Sequence, residues 1–145
     1  MANENAFWAT LRKKMQGRWR AQRFEDKLSE GIPDHCFAFR GMSGIGFIEL
    51  KRLTAWPVRE TTIVRIPHYT PLQRAWIRRF GEFSGRVFLF LQVDREYLLF
   101  DWKGAQKVGE VTRQELCMLA AGWWARSINA DELQEILEIG FYDNV

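Results

Sequence analysis

The segment VFLFLQV, residues 87–93, constrains the fold more than any other part of the chain. Six of its seven residues are apolar. A strand with one solvated face alternates apolar and polar residues, whereas a central strand covered on both faces is apolar nearly throughout. We therefore expect an α/β domain in which a central mixed β-sheet is flanked by helices.

The remaining periodicities predict helices and strands in alternation. Thr112 with Glu115, and Asn129 with Glu132, have the spacing of helix-capping pairs. A glycine-rich turn at 41–44 is expected to join two strands into a hairpin. The predicted helices cover 4–16, 23–28, 70–80, 112–124 and 129–138, and the predicted strands cover 35–40, 45–52, 62–66, 86–93 and 97–102.

The helix predicted over 70–80 has the clearest start. Thr70 can cap it, and Pro71 occupies the first helical position, where a backbone N–H has no partner within the helix. Leu72, Trp76 and Phe80 recur at helical spacing and line one face. We expect this apolar stripe to face the core.

The chain has 145 residues, the length of one domain. We expect a single domain over 1–145, with its core over about 23–102 and C-terminal helices over 112–138. No apolar run approaches the roughly 20 residues of a membrane helix, and the polar N-terminus lacks the apolar stretch of a signal peptide. A cytoplasmic location is therefore expected. Cys36 and Cys117 lie in apolar contexts, which predicts small buried hydrophobes rather than a disulfide or zinc ligands.

Charge is unevenly distributed along the chain, whose formal net charge is +3. Residues 11–23 hold six bases and no acid, while the residues after Arg126 hold five acids and no base; without that tail, 21 bases and 13 acids give a net charge of +8. This asymmetry favours a body that meets a polyanion. The alternative interpretation of the basic run is a solvated helix face.

Asp34, Glu49 and Lys51 lie at the edges of the predicted hairpin. Side chains alternate along a strand, so Glu49 and Lys51 share the face opposite to Ile48 and Leu50. Antiparallel pairing through the turn brings Asp34 back toward Glu49 and Lys51. The sequence therefore predicts two carboxylates and an ammonium group at one spot.

Two carboxylates at one spot repel each other unless a cation holds them, and hard divalent ions prefer oxygen ligands. Mg2+ would take Asp34, Glu49 and the backbone carbonyl of Leu50, and would make a water molecule easier to deprotonate. Lys51 would stabilise developing negative charge or orient the attacking water. These groups suit phosphodiester hydrolysis. The alternative is an ordinary surface salt bridge between Glu49 and Lys51.

The pairs Pro33-Asp34 and Glu49-Leu50-Lys51, separated by a strand, a turn and an apolar strand, resemble the PD-(D/E)xK nuclease superfamily. More narrowly, the pattern resembles the VRR-NUC domain and the Holliday-junction-resolvase-like small nucleases often found in phages, over residues 23–93. The resemblance implies a restriction-endonuclease-like fold and a Mg2+-dependent DNA endonuclease, with Mn2+ expected to substitute. For a phage-encoded chain, the expected location is the host cytoplasm.

The resemblance implies two further site residues. Members place an acid on a preceding helix, and RFEDKLSEGIPD offers Glu25 as a catalytic and metal-binding residue, with Asp26 and Glu30 as rivals. Members also carry a glutamine in a phrase like LTPxQ, and YTPLQ offers Gln73. In the first turn of its helix, Gln73 lies where backbone N–H groups attract phosphate. A plain capping or surface glutamine is the alternative.

The expected partner is DNA, branched or duplex, and the resemblance leaves room for a homodimer. No membrane and no small-molecule cofactor are expected as partners. Arginines on the basic run and on the helix over 70–80 would track the phosphate backbone without reading bases. The expected nucleic-acid contacts are Arg18, Arg20, Arg23, Arg74 and Arg78.

Two residues near these positions invite functional interpretations. His35 adjoins Asp34, but its side chain should point to the opposite face, which predicts a structural role. Trp19 lies among arginines and is a candidate for stacking on bases.

Two other function classes remain open. A catalytically inactive DNA-binding module of the same fold would bind phosphate without regard to Mg2+ and would be unaffected by Glu49→Gln. An α/β protein without nucleic-acid function would bind DNA weakly and with a shallow dependence on salt, since few phosphate contacts release few counterions.

Overall fold

A computed structural model of the chain describes residues 4–24 and 30–142. Within these residues the chain forms four α-helices, six β-strands and a short 3-10 helix. The elements in chain order are α1 (Glu4–Lys14), β1 (Trp19–Arg23), β2 (His35–Phe39), β3 (Gly46–Leu53), α2 (Pro71–Ser84), β4 (Val87–Val93), β5 (Glu96–Asp101), the 3-10 helix (Gly104–Gln106), α3 (Arg113–Leu119), β6 (Gly122–Ala125) and α4 (Ala130–Ile139).

The six strands form one mixed sheet in the order β1-β2-β3-β4-β5-β6. Neighbouring strands are antiparallel except for β3 and β4, which are parallel and joined by α2. Strand β4 lies in the middle and is buried at every position but Gln92. The expectation of an α/β domain with a mixed sheet between helices is confirmed.

Two apolar cores lie on the two faces of this sheet. Ile48 and Leu50 point to the face that α1 and α4 cover. Leu89 and Leu91, on the next strand, point to the face that α2 and α3 cover. Because every helix covers the sheet from one side or the other, β4 can be apolar along nearly its whole length. In the described residues, no helix is long and apolar enough to cross a membrane.

Local signals predicted several elements correctly. The helix starting at Glu4, the hairpin of β2 and β3, and the pair β4 and β5 lie where they were expected. Thr112 and Glu115 form a reciprocal capping box at α3. Asn129 caps α4 by accepting a hydrogen bond from the backbone N–H of Glu132.

The helix predicted over 112–124 is wrong in its second half. It ends at Leu119, and Gly122–Ala125 forms β6, which pairs antiparallel with β5. Trp124 lies opposite Tyr97, and both side chains pack into the core under α1 and α4. Pairing with an open sheet edge therefore decides the conformation of this segment over its local preference.

The strand predicted over 62–66 is also wrong. In this segment, Ile63 makes an isolated bridge to Thr112, and the N–H of Val64 donates to the carbonyl of Val111. Val64 and Ile66 are buried on the α2 side of the sheet. Their alternation thus reflects a buried connection rather than a strand of the sheet.

Strand β1 was not expected, because its sequence WRAQR was interpreted as part of a basic run. Trp19 and Ala21 pack against the core, while Arg20 and Gln22 point away from it. This is the alternation of an edge strand. Most of the helix expected over 23–28 falls on residues 25–29, outside the described part of the chain.

Of the apolar stripe predicted for α2, Trp76 packs against the core and is partly buried, but Leu72 and Phe80 do not face the core. The buried residues of α2 are Ile77 and Gly81, whereas Leu72 and Phe80 are 54% and 51% exposed. A Cβ added at Gly81 would lie 2.2 Å from Cβ of Trp102, so this glycine lets the helix sit directly on that ring. The helix is therefore rotated from the orientation that hydrophobicity alone indicates.

The two cysteines have free thiols. Cys36 is half-buried on β2, but Cys117 is exposed, contrary to expectation. The reason is that Leu116 is the residue of α3 that packs into the core.

Candidate metal centre

Asp34 and Glu49 are brought together by the register of the β2-β3 hairpin. His35 lies opposite Ile48, so one further step along each strand places Asp34 opposite Glu49. Residues opposite each other in an antiparallel pair project to the same face. The backbone carbonyl of Asp34 accepts a hydrogen bond of 2.7 Å from the N–H of Phe24, which ties this position to the chain beyond β1.

A third carboxylate joins them from the first residue of α1. One carboxylate oxygen each of Glu4, Asp34 and Glu49 lie within 4.8 Å of one another. Helix α1 is held on the sheet by Phe7 and Leu11, both buried, and this packing sets the position of its first turn.

Sequence reasoning missed Glu4. It expected the additional acid at Glu25, which lies outside the described residues. A helix start at Glu4 was predicted, but an acid in a first turn is common and nothing local indicated its neighbours. The contact depends on how α1 packs, which no spacing in the sequence reveals.

Lys51 is buried beside this cluster. Its side chain is 3% exposed and that of Glu49 is 1% exposed, and the Nζ atom of Lys51 lies 3.7 Å from Oε2 of Glu49. Nζ also donates a hydrogen bond of 2.9 Å to the backbone carbonyl of His68. The alternative of an ordinary surface salt bridge is therefore wrong, since this pair is buried.

The carbonyl that Lys51 contacts belongs to a residue with unusual backbone geometry. His68 has φ of 64°, in the left-handed region that few residues other than glycine adopt. The connection between β3 and α2 therefore places this carbonyl against Lys51 at some conformational cost.

The pKa of Tyr69 reflects the burial and the charges on this side of the site. Its hydroxyl donates a hydrogen bond of 2.8 Å to the carbonyl of Ala105. Burial raises the pKa of Tyr69 to about 12; the negative charge of Glu49 adds to this rise, and the nearby Arg74 opposes it. The phenol is thus neutral and serves as a donor in the wall of the site.

The donor set fits a hard divalent cation. Three carboxylates beside one ammonium group leave excess negative charge when all are ionised. Glu49 is buried and Glu4 and Asp34 are half-buried, so holding this charge without a counter-ion is costly. Two oxygens bound to one Mg2+ lie at most about 4.2 Å apart, since each Mg2+–O distance is about 2.1 Å. A span of 4.8 Å therefore needs only small side-chain adjustments. Leu50 turns its side chain into the opposite core, so only its backbone is available on this side.

Gln73 is part of the capping box of α2. Its side-chain oxygen accepts a hydrogen bond of 3.0 Å from the N–H of Thr70, and its own N–H donates to the Thr70 hydroxyl. The side-chain oxygen of Gln73 thus caps the helix, as the alternative interpretation predicts. Its amide nitrogen can still donate a hydrogen bond. A Cβ added at Gly31 would lie 2.5 Å from the carbonyl oxygen of Leu72, so the segment leading to Asp34 abuts the start of α2.

The five predicted DNA-binding arginines have different surroundings. Arg18 pairs with Asp131 at 2.7 Å, so the acidic tail meets the basic run. Arg23 donates to the side chain of Asn5. Arg74 pairs with Glu110 at 3.4 Å and donates to the carbonyl of Val108, Arg78 pairs with Glu82 at 3.2 Å, and Arg20 is exposed on β1.

Several of these arginines line two clefts. One, of about 520 Å3, is lined by Arg18, Arg20 and Arg40 at the β1-β2 edge. The other, of about 470 Å3, runs along α2 and includes Arg78 and Arg79. Within them, Arg18 and Arg78 are already paired with Asp131 and Glu82.

His35 and Trp19 belong to the core on the opposite face. His35 is buried, with its ring centroid 4.1 Å from that of Trp8. Trp19 packs against Phe37 and Phe39. The structural interpretation of His35 is confirmed, and much of the Trp19 ring is used in packing.

In comparisons with known proteins, no family model matches the chain and no curated protein is significantly similar to it.

Proposed function

We propose that the chain is a Mg2+-dependent nuclease that hydrolyses phosphodiester bonds in DNA, with a restriction-endonuclease-like fold. The observation that carries this proposal is the convergence of Glu4, Asp34 and Glu49 beside the buried ammonium group of Lys51. The mixed sheet between two helical layers also agrees with the architecture that the sequence resemblance implies.

Each residue of the cluster has a distinct role in this proposal. Asp34 and Glu49, opposite each other in the hairpin, hold the cation, and Glu4 adds a third carboxylate from α1. Bound Mg2+ supplies Lewis-acid assistance to attack by water on the phosphate.

Lys51 places a positive side chain 3.7 Å from the carboxylate of Glu49. Its hydrogen bond to His68 and its burial hold it in one position. A fixed ammonium group stabilises negative charge that develops on the phosphate, because it does not need to reorganise as the charge forms.

The substrate backbone would be held by positive charge outside the cluster. Arg20 and Arg40 on the β1-β2 edge and Arg79 on α2 are exposed, in the clefts described above. Phosphate contacts of this kind position a nucleic acid without reading its sequence. Branched DNA, as the resemblance implies, is the substrate proposed.

The test is cleavage of matched linear duplex, single-stranded and four-way-junction DNA, with Mg2+ or with a chelator. Glu49→Gln removes one ligand charge with little change in shape, and Glu60→Gln makes the same change at an exposed position. We expect the wild type and Glu60→Gln to cleave only with Mg2+. Glu49→Gln should lose more than the roughly 10- to 100-fold typical of outer-shell changes.

Cleavage that persists in a chelator, or equal activity of Glu49→Gln and the wild type, would contradict the proposal. If no substrate is cleaved and both proteins bind DNA alike, the chain is instead a binding module without catalytic activity.

A further inference from the structure

Helix α2 carries a row of large apolar side chains, of which Trp76 packs partly against the core and the other three are more than half exposed. We name this row the aromatic wall: Leu72, Trp76, Phe80 and Phe83. Leu72, Phe80 and Phe83 are 54%, 51% and 88% exposed. An exposed apolar patch on an otherwise well-packed domain commonly marks a binding surface.

The aromatic wall is continuous with the strand that carries the acid cluster. The rings of Trp76 and Phe80 are stacked, with centroids 4.1 Å apart and planes inclined by 21°. Phe47 of β3 contacts Trp76 edge to face at 5.1 Å. Phe47 and Glu49 lie two residues apart on one face of β3, a separation of about 7 Å along the strand. The wall therefore begins next to the candidate metal centre.

The sheet continues beyond β3 on the face that carries Glu49. Phe47 lies opposite Cys36, which lies opposite Gln22, so this row crosses the sheet on the face of Glu49. Cys36 is half-buried and Gln22 is exposed. The next row along β1 adds Arg20, also exposed. The aromatic wall and this row of the sheet therefore meet at Phe47, two residues from Glu49 of the acid cluster.

Charge beside the aromatic wall indicates what this surface binds. Arg79 lies three residues after Trp76 and four before Phe83, and so adjoins the wall on the helix surface. An apolar partner packed over the wall would take the charge of Arg79 out of water, which is costly. A nucleic-acid strand instead supplies flat apolar rings and negative phosphates in alternation.

We infer that the aromatic wall stacks against unpaired bases of the nucleic acid whose backbone reaches the acid cluster. The inference rests on the proposed nuclease function for the position of that backbone. Bases in a continuous duplex already stack on their neighbours and offer no free face. The chain should therefore prefer nucleic acid with a single-stranded stretch, such as a fork, over a fully paired duplex.

The test measures binding of a labelled forked DNA and a duplex of the same length, by fluorescence anisotropy in a chelator so that neither is cut. The double variant Phe80→Ala/Phe83→Ala removes the exposed rings, and Met118→Ala is the control, since that apolar side chain is 79% exposed outside the wall. The double variant should lose about 5- to 150-fold in affinity for the fork per stacked base. Its affinity for the duplex, and both affinities of the control, should stay unchanged.

Equal losses on fork and duplex, or no loss on either, would overturn the inference. A dimer of the wild type that dissociates in the double variant, measured by sedimentation, would assign the wall to a second copy and overturn it as well. Metal-dependent cleavage without fork preference would leave the nuclease proposal standing and remove this inference. Fork binding that is lost in the double variant, without cleavage by the wild type, would contradict the nuclease proposal and leave only the stacking role of the wall.

Discussion

Replacing Lys51 with methionine tests the buried ion pair between Lys51 and Glu49. Methionine keeps most of the length and apolar volume of the side chain but removes its charge. Glu49 would then lie in a position only 1% exposed to solvent without the ammonium group 3.7 Å away.

The magnitude follows from that distance and burial. Two unit charges 3.7 Å apart interact by about 4 to 5 kcal/mol at an effective dielectric constant near 20. Breaking a buried ion pair by removing one partner typically costs about 3 to 5 kcal/mol. We therefore expect Lys51→Met to lower the free energy of unfolding by about 3 to 5 kcal/mol at neutral pH.

The assay is urea unfolding in a chelator for the wild type, Lys51→Met, Glu49→Gln and the double variant. When Glu49→Gln has removed the carboxylate, Lys51→Met no longer leaves a buried negative charge without a partner. The loss of unfolding free energy in the double variant should therefore be smaller than the sum of the losses in the two single variants. The coupling should exceed about 1 kcal/mol. A loss below about 1 kcal/mol for Lys51→Met, or additive effects, would refute a buried and interacting pair.

Three further predictions concern the fold and its pH dependence. Gly81→Ala should destabilise the chain in thermal unfolding despite the helix preference for alanine of about 1 kcal/mol, because the new Cβ would overlap Trp102; an unchanged midpoint would contradict this packing. The free energy of unfolding should fall as pH rises from about 10 to 12, because unfolded Tyr69 ionises first while its native pKa is about 12, and Tyr69→Phe should remove that part of the slope. Trp124→Ala should cost about 3 to 5 kcal/mol and the half-exposed Trp123→Ala clearly less; equal losses in urea would argue against β6 as described.

What the sequence predicted correctly is local. The hairpin register that places Asp34 opposite Glu49 follows from the turn and from the two-residue period of the strands. Pro71 and the capping residue Thr70 likewise mark the start of α2. These signals are reliable because turns and helix caps depend on residues that are close together in the sequence.

What the sequence did not predict depends on packing between distant segments. Glu4 reaches the acid cluster because α1 docks on the sheet. The exposed wall of α2 arises because Gly81, which adds no hydrophobicity, permits the closest contact with Trp102. Trp124 joins a strand because β5 offers a free edge. In each case the conformation depends on the distant segment against which the residue packs. Hydrophobic periodicity does not identify that segment.

The most direct test of the metal centre is the affinity of the chain for Mn2+, measured by the EPR signal of the free ion. The wild type, Glu49→Gln, Glu4→Gln and the exposed control Glu60→Gln would be compared. We predict that Glu49→Gln and Glu4→Gln weaken binding by at least about 10-fold, while Glu60→Gln has the affinity of the wild type. Absence of Mn2+ binding in the wild type, or wild-type affinity in both Glu49→Gln and Glu4→Gln, would contradict a site built from Glu4, Asp34 and Glu49.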